Sequence, residues 1–138
     1  MPGLVLKLRP RERILVNGVV MENGDRRSRL NILTPDANIL RLRDAIHPED
    51  ANTPVSRVCY IAQLLLAGEV EEGEAHRQLL RGIEQLSQVL TDRDSRAVLT
   101  DATDALMQGN IYRCLKALRV LLPREARLLA HAASERAG

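Results

Sequence analysis

The hydrophobic period of this chain changes once, just after Arg43, and that change restricts the available folds more than any other feature. Before it, Leu4, Leu6 and Leu8 alternate with Val5, Lys7 and Arg9, the period of two that belongs to a half-buried strand. Arg13 to Val16 and Val19 to Glu22 read as two further strands around Asn17-Gly18, a dipeptide suited to the positive φ angles of a two-residue hairpin turn. Asn23-Gly24-Asp25 marks another turn, Arg29 to Leu33 a fourth strand, Thr34-Pro35-Asp36 a turn and Ile39 to Arg43 a fifth strand. A connector follows from Asp44 to Asn52. The period then becomes helical: Thr53 is placed to cap a helix with Pro54 at its first position, and Val55, Val58, Cys59, Ala62, Leu65 and Leu66 recur on one face. Further helices are expected over about 71–90, 95–108 and 111–122, with Gly109 ending the third and Asn110 capping the fourth. Pro123 reads as an interruption, followed by a short helix over 124–133 and a fraying tail. Strands followed by helices specify an α+β chain. We expect a small N-terminal antiparallel β-sheet and a C-terminal bundle of about four helices, divided into a basic β-rich lobe at 1–52 and a helical lobe at 53–138.

The 138 residues fit one domain or a compact pair of lobes. With no Phe, no Trp and only Tyr60 and Tyr112, the core must be built from Leu, Ile, Val and Ala. Cys59 and Cys114 stand far apart without a motif. A reducing cytoplasm with two buried thiols fits them better than a single disulfide in an exported protein. Lys7, Arg9, Arg11, Glu12 and Arg13 interrupt any apolar leader, and no run approaches the roughly 18 apolar residues of a membrane span. A cytoplasmic protein without membrane contact is expected.

No enzymatic motif emerges. His47, His76 and His131 are isolated, no Walker, dinucleotide-binding or nucleophile-elbow pattern is present, and neither a catalytic residue, a metal site nor a cofactor is expected. The Glu71, Glu72 and Glu74 carboxylates complement a helix N-terminus. Leu106 to Leu121 has the order helix, Gly-Asn, helix, with Tyr112, Arg113, Lys116 and Arg119 on its second half. Helix packing or a groove for a partner helix accounts for it better than DNA reading.

Charge is more informative. Residues 1–43 hold nine Lys/Arg against four Asp/Glu, a net +5, whereas the remainder is −3. Lys7 and Arg9 share one strand face, Arg27 and Arg29 another with Asn31, and Arg41 and Arg43 a third. Arg11, Arg13 and Arg26 lie near the turns. Aligned across a sheet, these like charges repel, and a phosphate backbone would relieve the repulsion. The same residues also fit a solvated face neutralised by Glu12, Glu22, Asp25 and Asp36. Since neither Tyr lies in the expected sheet, RNA binding would rest on phosphate, arginine and backbone contacts in place of aromatic stacking.

The run Leu6-Lys7-Leu8-x-Pro10-x-Glu12-Arg13-Ile14, with Asn17-Gly18 and Asn23-Gly24-Asp25-Arg26-Arg27, is similar to the start of the FlbT flagellin regulators. Ile39-Leu40-Arg41, Thr53-Pro54-x-x-Arg57-x-x-Tyr60-x-x-Gln63 and Gly109-Asn110-x-Tyr112-x-x-Leu115-Lys116-x-Leu118-Arg119 resemble that family in the same order. The resemblance spans about residues 5 to 120. It implies a post-transcriptional regulator of flagellum biogenesis that associates with the 5′ untranslated region of flagellin mRNA and promotes its degradation or modulates its translation. The partner implied is the flagellin mRNA leader. The alternative is an adaptor whose helical lobe docks flagellin, a flagellar chaperone or regulatory protein, or an mRNA decay factor. Exposed strand edges also invite a homo-oligomer.

Overall fold

Alternation along β1 (Leu4–Leu8) buries Leu6 and Leu8 and leaves Lys7 exposed. Its partner is β4 (Ser28–Ile32), antiparallel, with Leu6 opposite Leu30 and Lys7 opposite Arg29. A second sheet places β2 (Arg13–Val16) between β3 (Val19–Glu22) and β5 (Ile39–Arg41). The β structure is thus divided between two small antiparallel sheets. Each contributes one apolar face to a shared core: Leu6 and Leu8 from β1, Ile14 from β2 and Ile39 from β5, flanked by Val16, Leu30 and Ile32. The β2–β3 register pairs Val16 with Val19, and Asn17, just after β2, has the positive φ (48°) that a tight hairpin turn requires.

The computed structural model describes residues 4–17, 19–34, 37, 39–41 and 45–137. Gly18, the Pro35-Asp36 turn and Arg43, each singled out in the sequence, lie outside the described residues. Contacts resolve the chain into two compact units, Met1–Ala45 with Leu66–Gly68, and Ile46–Leu65 with Glu69–Gly138.

The second unit carries a turn of 3-10 helix at Pro48–Asp50 and five α-helices: α1 (Pro54–Leu66), α2 (Glu72–Val89), α3 (Arg93–Met107), α4 (Ile111–Arg119) and α5 (Leu121–Ala137). Their ends follow side-chain capping. Thr53 Oγ1 accepts from the Ser56 amide and Ser56 Oγ accepts from the Thr53 amide, a reciprocal cap at the start of α1. Glu71 accepts from the Gly73 and Glu74 amides, Asp92 from the Ser95 amide and Asn110 from the Arg113 amide. These amide bonds, with the Ser95 side chain bonding Asp92 as well, hold the Glu71 and Asp92 carboxyls below their ordinary range. The core of this unit includes Val55, Cys59, Ala62, Leu79, Leu86, Leu99, Leu106, Cys114, Leu118 and Leu121.

Two expectations about the C-terminus are corrected. Pro123 does not interrupt a helix, because it occupies the third position of α5, where a missing N–H breaks no intrahelical bond. Nor does the chain end in a short helix with a frayed tail, since α5 continues to Ala137. Glu125, in the second turn of α5, is buried and accepts from the Val55 amide (2.8 Å) and from Thr53 Oγ1. The last helix therefore satisfies an orphan donor at the start of the first.

Cys59 and Cys114 are both free and fully buried. Burial pushes the Cys59 thiol up to about 12 and the Cys114 thiol up to about 11. Because the thiolate is the reactive species, neither cysteine should react with a disulfide reagent at pH 8 in the folded protein, and both should react once the protein is denatured. Rapid labelling of either thiol in the native state would contradict this packing.

Candidate nucleic-acid interface

The β1–β4 ladder sets Lys7 directly across from Arg29. Opposed residues in an antiparallel pair hold their Cβ atoms about 5 Å apart, so two cations meet on the exposed face. Arg9 and Arg27 flank the two strands at the same end. Lys7, Arg9, Arg27, Ser28, Arg29 and Arg41 together line an open depression of about 540 Å³. Lys7, Arg9, Arg27 and Arg29 form no ion pair among the described residues. The fold thus concentrates four unneutralised cations on one short ribbon.

The remaining basic candidates are placed differently. Arg13 donates to Glu22 at 3.0 Å across the hairpin. Arg11 pairs with Asp25 and, at 3.6 Å, with Glu22. These two satisfy the solvated-face reading. Arg26 is exposed and contributes its carbonyl to the turn described below. Arg41 belongs to the other sheet, where it sits opposite Ile14. Its guanidinium forms a two-pronged bond with Glu12, Nε to Oε2 at 2.6 Å and Nη2 to Oε1 at 3.0 Å, and Nη2 also donates to the Lys7 carbonyl. Arg41 is therefore a brace beneath the cluster, with only one edge open to the depression.

Glu12 and Asn23 carry roles that the sequence did not reveal. The Glu12 side chain is 5% exposed, and its Oε1 also accepts from the Arg9 amide at 3.0 Å. Together Glu12 and Arg41 hold the backbone on both sides of Leu8, at Lys7 and at Arg9. Between Arg9 and Glu12 the chain turns on Pro10-Arg11, closed by a bond from the Glu12 amide to the Arg9 carbonyl at 3.1 Å. Arg11 adopts φ 63°, a conformation that costs a residue with a side chain roughly 1 kcal/mol. Asn23 ties the other side. Its Nδ2 donates to the carbonyls of Arg9 (2.7 Å) and Arg26 (2.9 Å), and its Oδ1 accepts from Ser28 Oγ (2.6 Å). One amide side chain thus joins the end of β1 to the start of β4. The only local signal for this was Asn23-Gly24, which reads as a turn without revealing what the turn holds.

Arg113, on the α4 face considered for DNA reading, pairs with Asp101 of α3 at 2.5 Å. α3 and α4 pack closely, as the helix-packing interpretation of Leu106 to Leu121 requires.

The family model described as "Flagellar protein FlbT" matches residues 4–129, which includes β1 to β5 and the basic ribbon. The chain belongs to the FlbT family. Similar proteins named "Probable flagellum biosynthesis repressor protein FlbT" include one from Brucella anthropi, 30% identical over 93% of this chain and 83% of that protein. One from Rhodopseudomonas palustris is 33% identical over 92% of this chain and 98% of its own length. One from Chelativorans sp. is 36% identical over 91% and 85%. No solved structure matches the chain. No helix among the described residues is long and apolar enough to cross a membrane.

Proposed function

We propose that this FlbT-family chain is a cytoplasmic post-transcriptional regulator of flagellum biogenesis that binds the 5′ untranslated region of a flagellin mRNA on the exposed β1–β4 face. Binding promotes degradation of the transcript or modulates its translation. The observation that carries this reading is the tetrad Lys7, Arg9, Arg27 and Arg29, held on one ribbon with no carboxylate among the described residues to neutralise it. The relatives' description as repressors of flagellum biosynthesis supports a regulatory role and supplies the biological setting. Without an aromatic residue on the face, recognition rests on phosphates, with arginine planes available to lie against unpaired bases.

The test is a salt titration with purified protein and a labelled single-stranded flagellin leader. Four phosphate contacts release counterions, so the logarithm of affinity should fall against the logarithm of salt with a slope of about −3. Absence of binding at low salt without an added partner would reject direct recognition and favour the adaptor reading. Binding that is insensitive to salt would reject the tetrad as the contact surface.

A further inference from the structure

A second surface lies in the helical unit, independent of the basic ribbon. α1, α2 and α5 border a groove of about 480 Å³ whose walls include Val58, Ile61, Val89, Leu128 and Leu129. Val89, Leu128 and Leu129 are exposed at its rim. Gly82 of α2 faces α1, and a Cβ there would come within 2.6 Å of Val58 Cγ2. The two helices therefore touch closely at this point, where only a glycine fits against Val58. On the α2 side the lining runs from Gln78 to Val89, roughly 16 Å at 1.5 Å per residue. That length accommodates about three turns of a partner helix.

Arg57 and Arg81 stand on the same groove and are exposed. Neither forms an ion pair among the described residues; Arg81 lies within electrostatic reach of Glu74, whose carboxylate is bonded by Arg77 and Gln78, and Arg57 holds only a long 3.4 Å bond to the Asn52 carbonyl. The one carboxylate lining the groove, Glu125, is already engaged by Thr53 and Val55. An apolar trough bordered by two cations outside any ion pair selects its occupant. A two-fold dimer through the groove would oppose this arginine pair with its own copy, a like-charge contact. Nucleic acid would meet the arginines but leave the leucine and valine walls uncovered.

We infer that the groove docks an amphipathic helix of another protein, one that presents an apolar stripe flanked by carboxylates. The apolar stripe covers Val89, Leu128 and Leu129, and the carboxylates meet Arg57 and Arg81.

The probe is a dye-labelled 14-residue helical peptide with Leu at i, i+3, i+4 and i+7 and Glu on both flanks, compared with a twin carrying Lys in place of Glu. With the full-length protein, the Glu peptide should bind at least about tenfold more tightly than the Lys peptide, since like charges across an interface are costly. Arg57→Glu/Arg81→Glu alters only exposed side chains and should reverse that order. Equal binding of the two peptides, or an order unchanged by the double substitution, would overturn the proposal. So would a dimer in sedimentation that is abolished by Leu128→Glu, because the groove would then belong to a second copy. Affinity for the flagellin leader should be unaltered in Arg57→Glu/Arg81→Glu. A parallel loss there would assign the groove to the RNA surface and refute helix docking.

Discussion

Reversing two charges on the ribbon, Arg27→Glu with Arg29→Glu, should weaken binding of a flagellin leader by about 100-fold while leaving the fold intact. The size follows from what each arginine supplies. A hydrogen bond to a charged partner contributes roughly 1.5 kcal/mol or more, and two such losses approach 3 kcal/mol, or two decades in affinity. The fold should survive because both side chains are exposed and neither forms an ion pair among the described residues. Placing Glu at 29 also converts the repulsive pairing with Lys7 into an attractive one across the ladder. The salt slope should fall along with the affinity, from about −3 to about −1.5, since two phosphate contacts are gone. The control is Arg93→Glu with Arg96→Glu on α3, which makes the same change in net charge at exposed helix positions. If the control weakens binding as much as the ribbon substitution, only net charge matters and the tetrad is not a site. If the ribbon substitution leaves affinity unchanged with an intact circular dichroism spectrum, the assignment of Arg27 and Arg29 fails.

What the sequence made legible was local. The period of two in Leu4 to Leu8 identified both the buried face of β1 and the exposed position of Lys7, because side chains on a strand alternate without regard to which strand pairs with it. Thr53-Pro54 and Asn110 marked helix starts because a cap is made within four residues. Non-local features were hidden. Nothing in the text of the chain specifies that β4 skips its neighbour β3 to pair with β1, and the Lys7–Arg29 juxtaposition exists only in that register. Glu12 looked like one of four acids available to a solvated face, and its partner Arg41 is 29 residues away. Glu125 caps a helix start 70 residues earlier. Pro123 was misread for a different reason: the rule that proline breaks helices holds in the interior, and only the break between α4 and α5 at Val120 reveals that Pro123 lies in a first turn.

The brace beneath the ribbon yields a prediction whose sign separates positioning from net charge. Glu12→Ala removes the acceptor of both Arg41 prongs and of the Arg9 amide. Glu12 is almost fully buried and Arg41 is 23% exposed, so the pair is closer to the buried than to the surface case. Loss of one partner strands a guanidinium in a poorly solvated place, at a cost of about 3 kcal/mol. Hydrogen exchange reads that loss locally: amide protection in β1 and β4 should fall by about 100-fold while α3 and α4 are unaffected. Unchanged protection would mean that Arg41 finds adequate solvation without Glu12. Glu12→Gln keeps the shape and one acceptor, and should recover part of the protection. The functional readout then follows. Removing a carboxylate makes the β unit more positive, so a surface governed by net charge alone would bind RNA more tightly in Glu12→Ala. A tetrad governed by geometry should bind more weakly, because Lys7 and Arg9 lose the anchor that fixes the backbone beneath them. Tighter binding in Glu12→Ala would leave the arginines as a diffuse electrostatic patch, whereas weaker binding in a more cationic protein can arise only if the placement of the four cations matters.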